Sequence, residues 1–499
     1  MSSFIQALGS IDGMYLVALV VGTIAGYVIG ALPGFSATMG VALFVPFSYS
    51  MQTADAFAFL IALYCSAVFA GSIPAILIRT PGTPAAICTI YDGYPMAKRG
   101  EAGRALGLAC WASIVGGIIS AIILICAAGF IADFAISFGH FEYFMLGILG
   151  LSMVIGMSSD DMVKGLISTV IGLAIPLVGM DSMNGMARFT FGNVQLLSGF
   201  QQIPVLIGLF AISEIFIGFS SNDRDAVPSQ KISNLFSGLK DMARNKWLLF
   251  KSAIIGTCLG ALPGVGATTA AIIGYDQAKN SSKHPELMGT GQPEGIIGPE
   301  CANNAVTGGA LIPLLALGIP GDPVTAILLG ALMIHGLQPG PLLFAQNPVV
   351  VKGIYISVIL SYVVIFLFSL FSIKLIARLL NVKTSILSAF VLVFCVVGCY
   401  ATRNSYFDVF VALAFGLIGY WMRKDGYSLG PMTLALVLGT MIEQKLAGAL
   451  KLSGGSVLPF FTRPISLVLL VLTLLVIVLS TYRIVKKNKR FKKNMKQGC

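Results

Sequence analysis

The stretch Gly30-Ala31-Leu32-Pro33-Gly34-Phe35-Ser36-Ala37-Thr38 decides the fold class, because the chain repeats it as Gly260-Ala261-Leu262-Pro263-Gly264-Val265-Gly266-Ala267-Thr268. Both copies interrupt apolar runs that are long enough to enter a lipid bilayer. Proline and glycine break a helix at this point, and hydroxyl side chains follow the break. A duplicated helix break inside a membrane segment is typical of a transport site.

The composition supports a membrane location. Of the 499 residues, 56% are hydrophobic and only 11% are charged, whereas about a quarter of a soluble domain is charged. The mean hydropathy is +0.88, and many runs approach the ~20 apolar residues that span hydrocarbon. The nine cysteines are scattered without a CxxC motif, which favours buried core positions over disulfides or metal ligands. We therefore predict an all-α polytopic membrane protein.

A second pair of motifs extends the internal repeat. Thr80-Pro81-Gly82-Thr83-Pro84 corresponds to Ile319-Pro320-Gly321-Asp322-Pro323, and Asp92-Gly93 corresponds to His335-Gly336. These matches predict two homologous halves. The predicted divisions are a first transmembrane repeat (1–222), a basic cytoplasmic linker (223–246), a second transmembrane repeat (247–450), a C-terminal transmembrane helix (451–482) and a basic cytoplasmic tail (483–499).

The distribution of basic residues predicts that the two halves are inverted. Three basic residues lie in 98–104, and the counterpart loop 335–349 has no Lys or Arg. The next loop reverses this bias, since 133–143 has none and 374–383 has three. Basic loops mark the cytoplasmic side, so we expect two inverted-topology repeats with broken or re-entrant helices. The N-terminus is then periplasmic and the C-terminus cytoplasmic. The net charge of +11 needs no nucleic-acid partner.

The four breaks predict where a substrate binds. Half-helix N-termini attract carboxylates, and unwound backbone carbonyls suit Na⁺. The alternative is that glycine, serine and threonine only allow close helix packing; the duplication of both motifs favours a site. The predicted substrate-binding residues are Pro33, Gly34, Ser36, Thr38, Arg79, Thr80, Pro81, Gly82, Thr83, Gly264, Gly266, Thr268, Thr269, Asn303, Asn304, Pro320 and Gly321.

Two carboxylates are predicted to couple transport to a cation. Asp322 lies between two apolar stretches, where an ionisable residue indicates function, and Na⁺ could bind near it. The alternative role of Asp322 is to cap a half-helix. Glu300 opens the preceding apolar segment together with Asn303 and Asn304, whose amides bind substrate or hydrogen-bond neighbouring helices. Arg79 pairs with a substrate carboxylate or extends to the membrane interface.

An enzymatic function is not expected. Gly34-Phe35-Ser36 is a weak match to the serine turn of an intramembrane protease, which needs a histidine base. The chain has three histidines and none lies in a catalytic motif. It also contains no HExxH motif, Walker loop or dinucleotide fingerprint. We expect no cofactor. A channel is disfavoured, and the rival class is a non-transporting membrane scaffold or receptor subunit.

Long, ordered motifs resemble the large membrane subunit of tripartite tricarboxylate transporters, the TctA family. They are GSIPAIL (71–77), TPGTPA (80–85), DGYPMAK (92–98), AGRALG (102–107), PECANN (299–304), GGALIP (308–313) and HGLQPGP (335–341). The sequence departs from the family pattern at Asp322, where serine or threonine is more usual. This departure favours a substrate less anionic than citrate or an additional cation ligand.

The resemblance implies a function in secondary active uptake. A periplasmic substrate-binding protein would deliver a small carboxylate to this subunit in the bacterial inner membrane. A small four-helix membrane subunit would be the second partner, and a Na⁺ or H⁺ gradient would drive import without ATP hydrolysis. The identity of the carboxylate and the choice of ion do not follow from the resemblance.

Overall fold

The structure is a computed structural model that describes residues 2–9, 11–157, 162–181, 184–219, 235–379 and 384–497. Within these ranges the protein is helical apart from one antiparallel pair of two-residue strands, β1 (Gly179–Met180) and β2 (Ala187–Arg188). Gly179 pairs with Arg188 in this ladder, and Met180 pairs with Ala187. The predicted all-α class is confirmed.

Twenty-three α-helices make up the described part of the chain. The helices before residue 220 are α1 (Ser2–Gly9), α2 (Gly13–Ala31), α3 (Ala37–Ser48), α4 (Thr53–Ala70), α5 (Ser72–Ile78), α6 (Thr89–Met96), α7 (Ala102–Ala135), α8 (His140–Met157), α9 (Met162–Ala174), α10 (Gln202–Leu206) and α11 (Ser213–Phe219). The later helices are α12 (Leu239–Arg244), α13 (Lys246–Gly260), α14 (Gly266–Ser281), α15 (Glu294–Leu317), α16 (Pro323–Ile334), α17 (Pro341–Gln346), α18 (Pro348–Leu379), α19 (Thr384–Arg403), α20 (Tyr406–Lys424), α21 (Leu429–Leu452), α22 (Pro459–Thr462) and α23 (Pro464–Gln497).

Short helices of other types complete the backbone. The 3-10 helices are Pro84–Ala86, Ile175–Leu177, Val194–Ser198, Leu235–Gly238 and Pro285–Leu287, and a π-helical turn is Ile207–Ile212. Ala97–Glu101 contains a kink at Gly100, whose φ is 85°, between α6 and α7.

Seven helical segments within the described residues are long and apolar enough to cross a membrane. They are Gly13–Ala31, Thr53–Ile78, Thr89–Ala135, Pro348–Ser372, Tyr406–Lys424, Leu429–Leu452 and Pro464–Tyr482. The helices that follow three of the breaks are shorter, at 12 residues for α3, 16 for α14 and 12 for α16. A 12-residue helix is about 18 Å long, which is less than the ~30 Å hydrocarbon core. The chain is a multi-pass membrane protein that contains half-length helices.

Local sequence explains where these half-length helices begin and end. Helix α2 ends before Pro33, Gly34 has a φ of 93°, and the Ser36 side chain caps α3 by accepting from the Met39 N–H. Gly264 occupies the equivalent left-handed position with a φ of 83°. A proline-glycine pair favours such a break because proline lacks an N–H and glycine tolerates positive φ.

One compact unit comprises residues 1–136 and 201–421. Buried helices α4 and α15 form its centre; α2 packs on α4, and α13 and α14 pack on α15. A Cβ added to Gly30 would lie 2.2 Å from the carbonyl oxygen of Ala67, and one added to Gly260 would lie 2.8 Å from that of Val306. Each predicted half therefore contains a close helix–helix contact, and the two contacts lie at equivalent positions. Their opposite membrane orientation stays a prediction.

The other compact unit comprises residues 137–200 and 422–499. The aromatic rings of Phe141 and Phe460 pack in its core, with centroids 5.0 Å apart. Glu142 is 2% exposed and pairs with Arg463 at 2.6 Å. Each predicted repeat contributes chain to both compact units, and the predicted division into repeats stays a prediction. Residues 223–234 of the predicted linker lie outside the described residues, and α23 continues to Gln497.

Candidate functional site

In each half the second helix break packs on the first. A Cβ added to Gly82 would lie 2.1 Å from the carbonyl oxygen of Gly30, and one added to Gly321 would lie 2.3 Å from that of Gly260. The N–H of Gly264 also donates to the Gly321 carbonyl at 2.8 Å. The structure thus brings the predicted break at 33–38 against that at 80–84, and the break at 263–269 against that at 320–323.

The helix that leads into the second break ends in the same way in both halves. Arg79 follows α5 with a φ of 58°, and Gly318 follows α15 with a φ of 71°. Both residues are left-handed helix caps, the conformation that commonly ends a helix. The one-residue interruption at Gly71, between α4 and α5, was not predicted from the sequence; the Gly71 carbonyl accepts from the Gly82 N–H at 3.0 Å.

Asp322 caps the short helix α16. Its Oδ1 accepts from the N–H and the hydroxyl of Thr325, both at 2.7 Å, and its Oδ2 accepts from the hydroxyl of Tyr64 at 2.7 Å. The side-chain oxygen of an N-cap residue satisfies an amide that has no partner within the helix. This geometry supports the capping interpretation of Asp322, and its cation role stays a prediction.

Thr83 occupies the position in the first half that Asp322 occupies in the second. Both residues are extended and both precede proline. Thr83 is followed by a 3-10 helix of three residues, whereas Asp322 is followed by the 12-residue helix α16. The Thr83 hydroxyl is buried without a hydrogen-bond partner in the described structure. The two halves therefore differ chemically at equivalent positions.

Glu300 is a fully buried carboxylate on α15. It accepts hydrogen bonds from the hydroxyl of Thr89 on α6 and, at 3.4 Å, from the hydroxyl of Ser113 on α7. In the part of the chain that the structure describes, no Lys, Arg or His forms an ion pair with it. Burying an ion without a compensating charge costs several kcal/mol. The site therefore favours a neutralised Glu300, with either a proton or a bound cation.

Two amides extend the polar cluster around Glu300. Asn304 Nδ2 donates to Ser113 Oγ at 2.8 Å and to Asn303 Oδ1 at 2.6 Å. Asn303 Nδ2 lies 3.4 Å from a Glu300 oxygen. Asn304 Oδ1 is buried and has no hydrogen-bond partner among the described residues. An unsatisfied buried oxygen is costly, which suggests that it accepts from or coordinates a bound species.

Contacts between the halves are reciprocal. Tyr64 of the first half donates to Asp322 of the second, and Asn303 of the second half donates to the carbonyl of Ala85, two residues after Thr83, at 3.4 Å. Tyr64 and Asn303 are 239 residues apart. The same spacing separates Ala67 on α4 from Val306 on α15, and Gly30 and Gly260 pack against these two residues. Tyr64 and Asn303 therefore occupy equivalent positions in the two predicted halves. Such paired contacts are expected where two related halves meet about a pseudo-two-fold axis.

Asp92 makes a contact whose role sequence analysis missed. Its buried carboxylate accepts from the N–H groups of Gly289, Gly291 and Gln292 at 2.7–2.9 Å, and from the Tyr275 hydroxyl at 3.0 Å. The sequence marks this position only through the match of Asp92-Gly93 with His335-Gly336. His335 makes the reciprocal contact to the first half, with Nε2 3.5 Å from the hydroxyl of Ser48.

Exposure divides the predicted site residues into two sets. The buried members of the predicted set are Pro33, Gly82, Thr83, Asn303, Asn304, Pro320, Gly321, Asp322 and Glu300. The half-buried or exposed members are Gly34, Ser36, Thr38, Arg79, Thr80, Pro81, Gly264, Gly266, Thr268 and Thr269. The Arg79 guanidinium is 6.0 Å from the ring centroid of Tyr94. Among the described residues, no group of three or more His, Cys, Asp or Glu could hold a metal ion.

Comparison with known proteins gives one family and two relatives. The profile of the Tripartite tricarboxylate transporter TctA family matches residues 16–434. The chain is 35% identical, over 460 residues and 92% of both chains, to the uncharacterized 52.8 kDa protein in TAR-I ttuC′ 3′region of Agrobacterium vitis. It is 36% identical over 225 residues to the uncharacterized protein in TAR-II ttuC′ 3′region of the same organism, covering 45% of this chain and 93% of that protein. No solved structure matches.

Proposed function

Because this chain belongs to the tripartite tricarboxylate transporter TctA family, we propose that it is the transport subunit of a secondary active carboxylate importer. It acts in the bacterial inner membrane with a periplasmic substrate-binding protein and a small four-helix membrane subunit. A Na⁺ or H⁺ gradient drives uptake. Family membership and the multi-pass helices support a transporter component rather than an enzyme.

The buried carboxylate of Glu300 is the observation that carries this proposal. A carboxylate in a membrane interior is expected to take up a proton or pair with a cation. The oxygens of Ser113, Thr89 and Asn304 surround it or lie beside it, and Asn304 Oδ1 has no donor within the described residues. Oxygen ligands suit Na⁺, and the same carboxylate can carry H⁺. The coupling ion binds at Glu300, and Asp322 acts mainly as a helix cap.

The carboxylate substrate binds at the first turns of the half-length helices α3 and α14. Ser36 and Thr38 are half-buried in one of these turns, and Thr268 and Thr269 are half-buried in the other. Free amides and the positive end of the helix dipole attract an anion there. The same breaks pack on Gly82 and Gly321. Asn303 of the Glu300 cluster donates to the carbonyl of Ala85, three residues after Gly82. This hydrogen bond connects the ion site to the helix breaks at which the substrate binds.

Uptake by the reconstituted three-component system tests the proposal. Vesicles that contain both membrane subunits are given the binding protein and labelled di- or tricarboxylates under an imposed Na⁺ or H⁺ gradient. The gradient should stimulate uptake, and Glu300→Gln should reduce the stimulated rate by about tenfold or more, because a charge-assisted ligand is lost. The exposed residue Glu286 provides the control Glu286→Gln, which should transport normally.

Two results would contradict the proposal. Full gradient stimulation in the Glu300→Gln variant would remove Glu300 from ion coupling. No uptake in either gradient, with docking of the binding protein intact, would favour the scaffold or receptor alternative.

A further inference from the structure

A basic cavity lies apart from the residues assigned to ion and substrate binding. Its volume is about 850 Å³, and it is bounded by α12, the starts of α7 and α13, the end of α14 and the segment 282–294. Four basic side chains line it, together with two acidic ones. The charged lining residues are Arg104, Arg244, Lys251, Lys283, Asp241 and Glu294.

The cavity has an excess of positive charge. Arg104 is neutralised by Asp241 at 2.8 Å and by Glu101 at 2.9 Å. Arg244, Lys251 and Lys283 form no ion pair within the described ranges, which leaves three cations against Glu294. The hydroxyl-bearing residues Ser281 and Ser282 also line the cavity. Several cations beside hydroxyl groups make a binding site for a phosphate group.

The helices at the rim of the cavity expose large apolar side chains. Trp247 lines the cavity and is 69% exposed, and Phe250 follows three residues later on α13 with 50% exposure. Ile272 and Ile273 on α14 are 44% and 37% exposed. Residues three apart share a helix face, and tryptophan is enriched where a membrane protein meets the lipid head groups. A ligand whose phosphate enters the cavity can therefore extend acyl chains along α13 and α14.

We propose that this cavity binds the phosphate head group of an anionic phospholipid. Free phosphate shares the head-group chemistry, but the exposed apolar faces beside the cavity favour the lipid. Basic pockets between transmembrane helices on the cytoplasmic side are a recurring type of lipid site. The segment 282–294 leads directly into α15, which carries Glu300. A lipid bound in the cavity therefore restrains the first turn of that helix. Lipid binding in this cavity is independent of transport activity.

Lipid binding to the detergent-solubilised full-length chain tests this proposal. Native mass spectrometry counts retained phosphatidylglycerol, and thermal unfolding measures stabilisation by added phosphatidylglycerol, phosphatidylcholine or inorganic phosphate. The triple variant Arg244→Gln/Lys251→Gln/Lys283→Gln should bind phosphatidylglycerol about fivefold more weakly for each charge removed. A matched control, Lys98→Gln/Lys240→Gln/Lys279→Gln, changes exposed lysines outside the cavity and should bind as the wild type does.

A second variant keeps the test decisive if the first does not fold. Arg244→Lys/Lys251→Arg/Lys283→Arg keeps the charge and should retain selective binding of phosphatidylglycerol. Equal binding by the triple glutamine variant and the wild type would overturn the proposal. So would equal stabilisation by phosphatidylcholine, or displacement of the lipid by inorganic phosphate at matched concentration, which would identify a site for free anions.

Discussion

At the scale of single residues, packing gives different hydrogen-bond partners to two carboxylates, Glu300 and Asp322, that have similar sequence contexts. Both lie in apolar surroundings and both are buried. Asp322 uses both oxygens to hold Thr325 and Tyr64. Glu300 accepts from hydroxyl groups on two helices distant in sequence and lies beside the amide of Asn303 on its own helix, with no basic partner among the described residues. The first arrangement stabilises a helix end, and the second can exchange a proton or a cation.

Replacing Asp322 should reveal its capping role. Asp322→Ala removes the cap of α16 and the acceptor of Tyr64, so we expect it to lower stability by about 1–3 kcal/mol. Asp322→Ser keeps a capping oxygen and should lose less. Thermal unfolding in detergent measures both effects. If Asp322 is only a cap, Asp322→Ser will leave the Na⁺ and pH dependence of uptake unchanged; an altered dependence would support the cation role instead.

At the scale of elements, the helix breaks depend on one another. Gly82 lies against the last turn of α2, and Gly321 lies against the last turn of α13. In each half the two breaks are therefore in contact, at the last turn of the helix that precedes the first break. The sequence predicts each break separately, because proline and glycine act locally. Their pairing depends on the packing of α2 on α4 and of α13 on α15.

Adding a methyl group at these contacts should disrupt the pairing of the breaks. Gly321→Ala would place a Cβ 2.3 Å from the Gly260 carbonyl, and backbone atoms can move little to accommodate it. Overpacking typically costs about 1–3 kcal/mol, so we expect a lower unfolding temperature and poor recovery of folded protein. Gly353→Ala on α18 meets no atom within 4 Å and is the control. Equal melting temperatures for both variants would contradict the close packing.

Asp92 fixes the segment before α15 by accepting several backbone hydrogen bonds. Asp92→Ala should release residues 285–293, because each bond to a charged acceptor contributes about 1.5–3 kcal/mol. Hydrogen exchange of the amides in this segment should then accelerate by about tenfold or more. The exposed Asp276 on α14 provides the control Asp276→Ala, which should exchange as the wild type does. Unchanged exchange in Asp92→Ala would show that other contacts hold the segment.

At the scale of the whole molecule, the two predicted halves contact each other through polar groups near their second breaks. Tyr64 reaches Asp322 and Asn303 reaches Ala85, so each half holds the region after the second break of the other. Asp92 and His335 make a similar exchange at their own positions. These contacts agree with the predicted internal duplication, and Thr83 and Asp322 mark a position at which the two predicted halves differ.

Labelling of introduced cysteines would test the predicted inversion. In a chain whose native cysteines have been replaced, Lys98→Cys should react with a membrane-impermeant maleimide only from the cytoplasm. Gln346→Cys should react only from the periplasm, because residues 335–349 are the predicted inverted counterpart of the basic loop at 98–104. Comparison of intact cells with inverted membrane vesicles gives the side of each residue. Labelling of both from the same side would rule out the inverted arrangement.

The sequence by itself determined the membrane class and the four helix breaks, because apolar run length and the effects of proline and glycine act over short distances. It also determined the family, because the motifs that carry the resemblance are continuous stretches of sequence. Only the tertiary structure decided which polar groups meet. Thr89 and Glu300 are 211 residues apart, and Tyr64 and Asp322 are 258 apart. Their contacts arise from the packing of separate helices, which no local pattern specifies. That packing gives Asp322 partners for both oxygens, Thr325 in the helix cap and Tyr64 on α4, and leaves Glu300 without a basic partner among the described residues. Burial removes solvent, so each carboxylate must be stabilised by its neighbours.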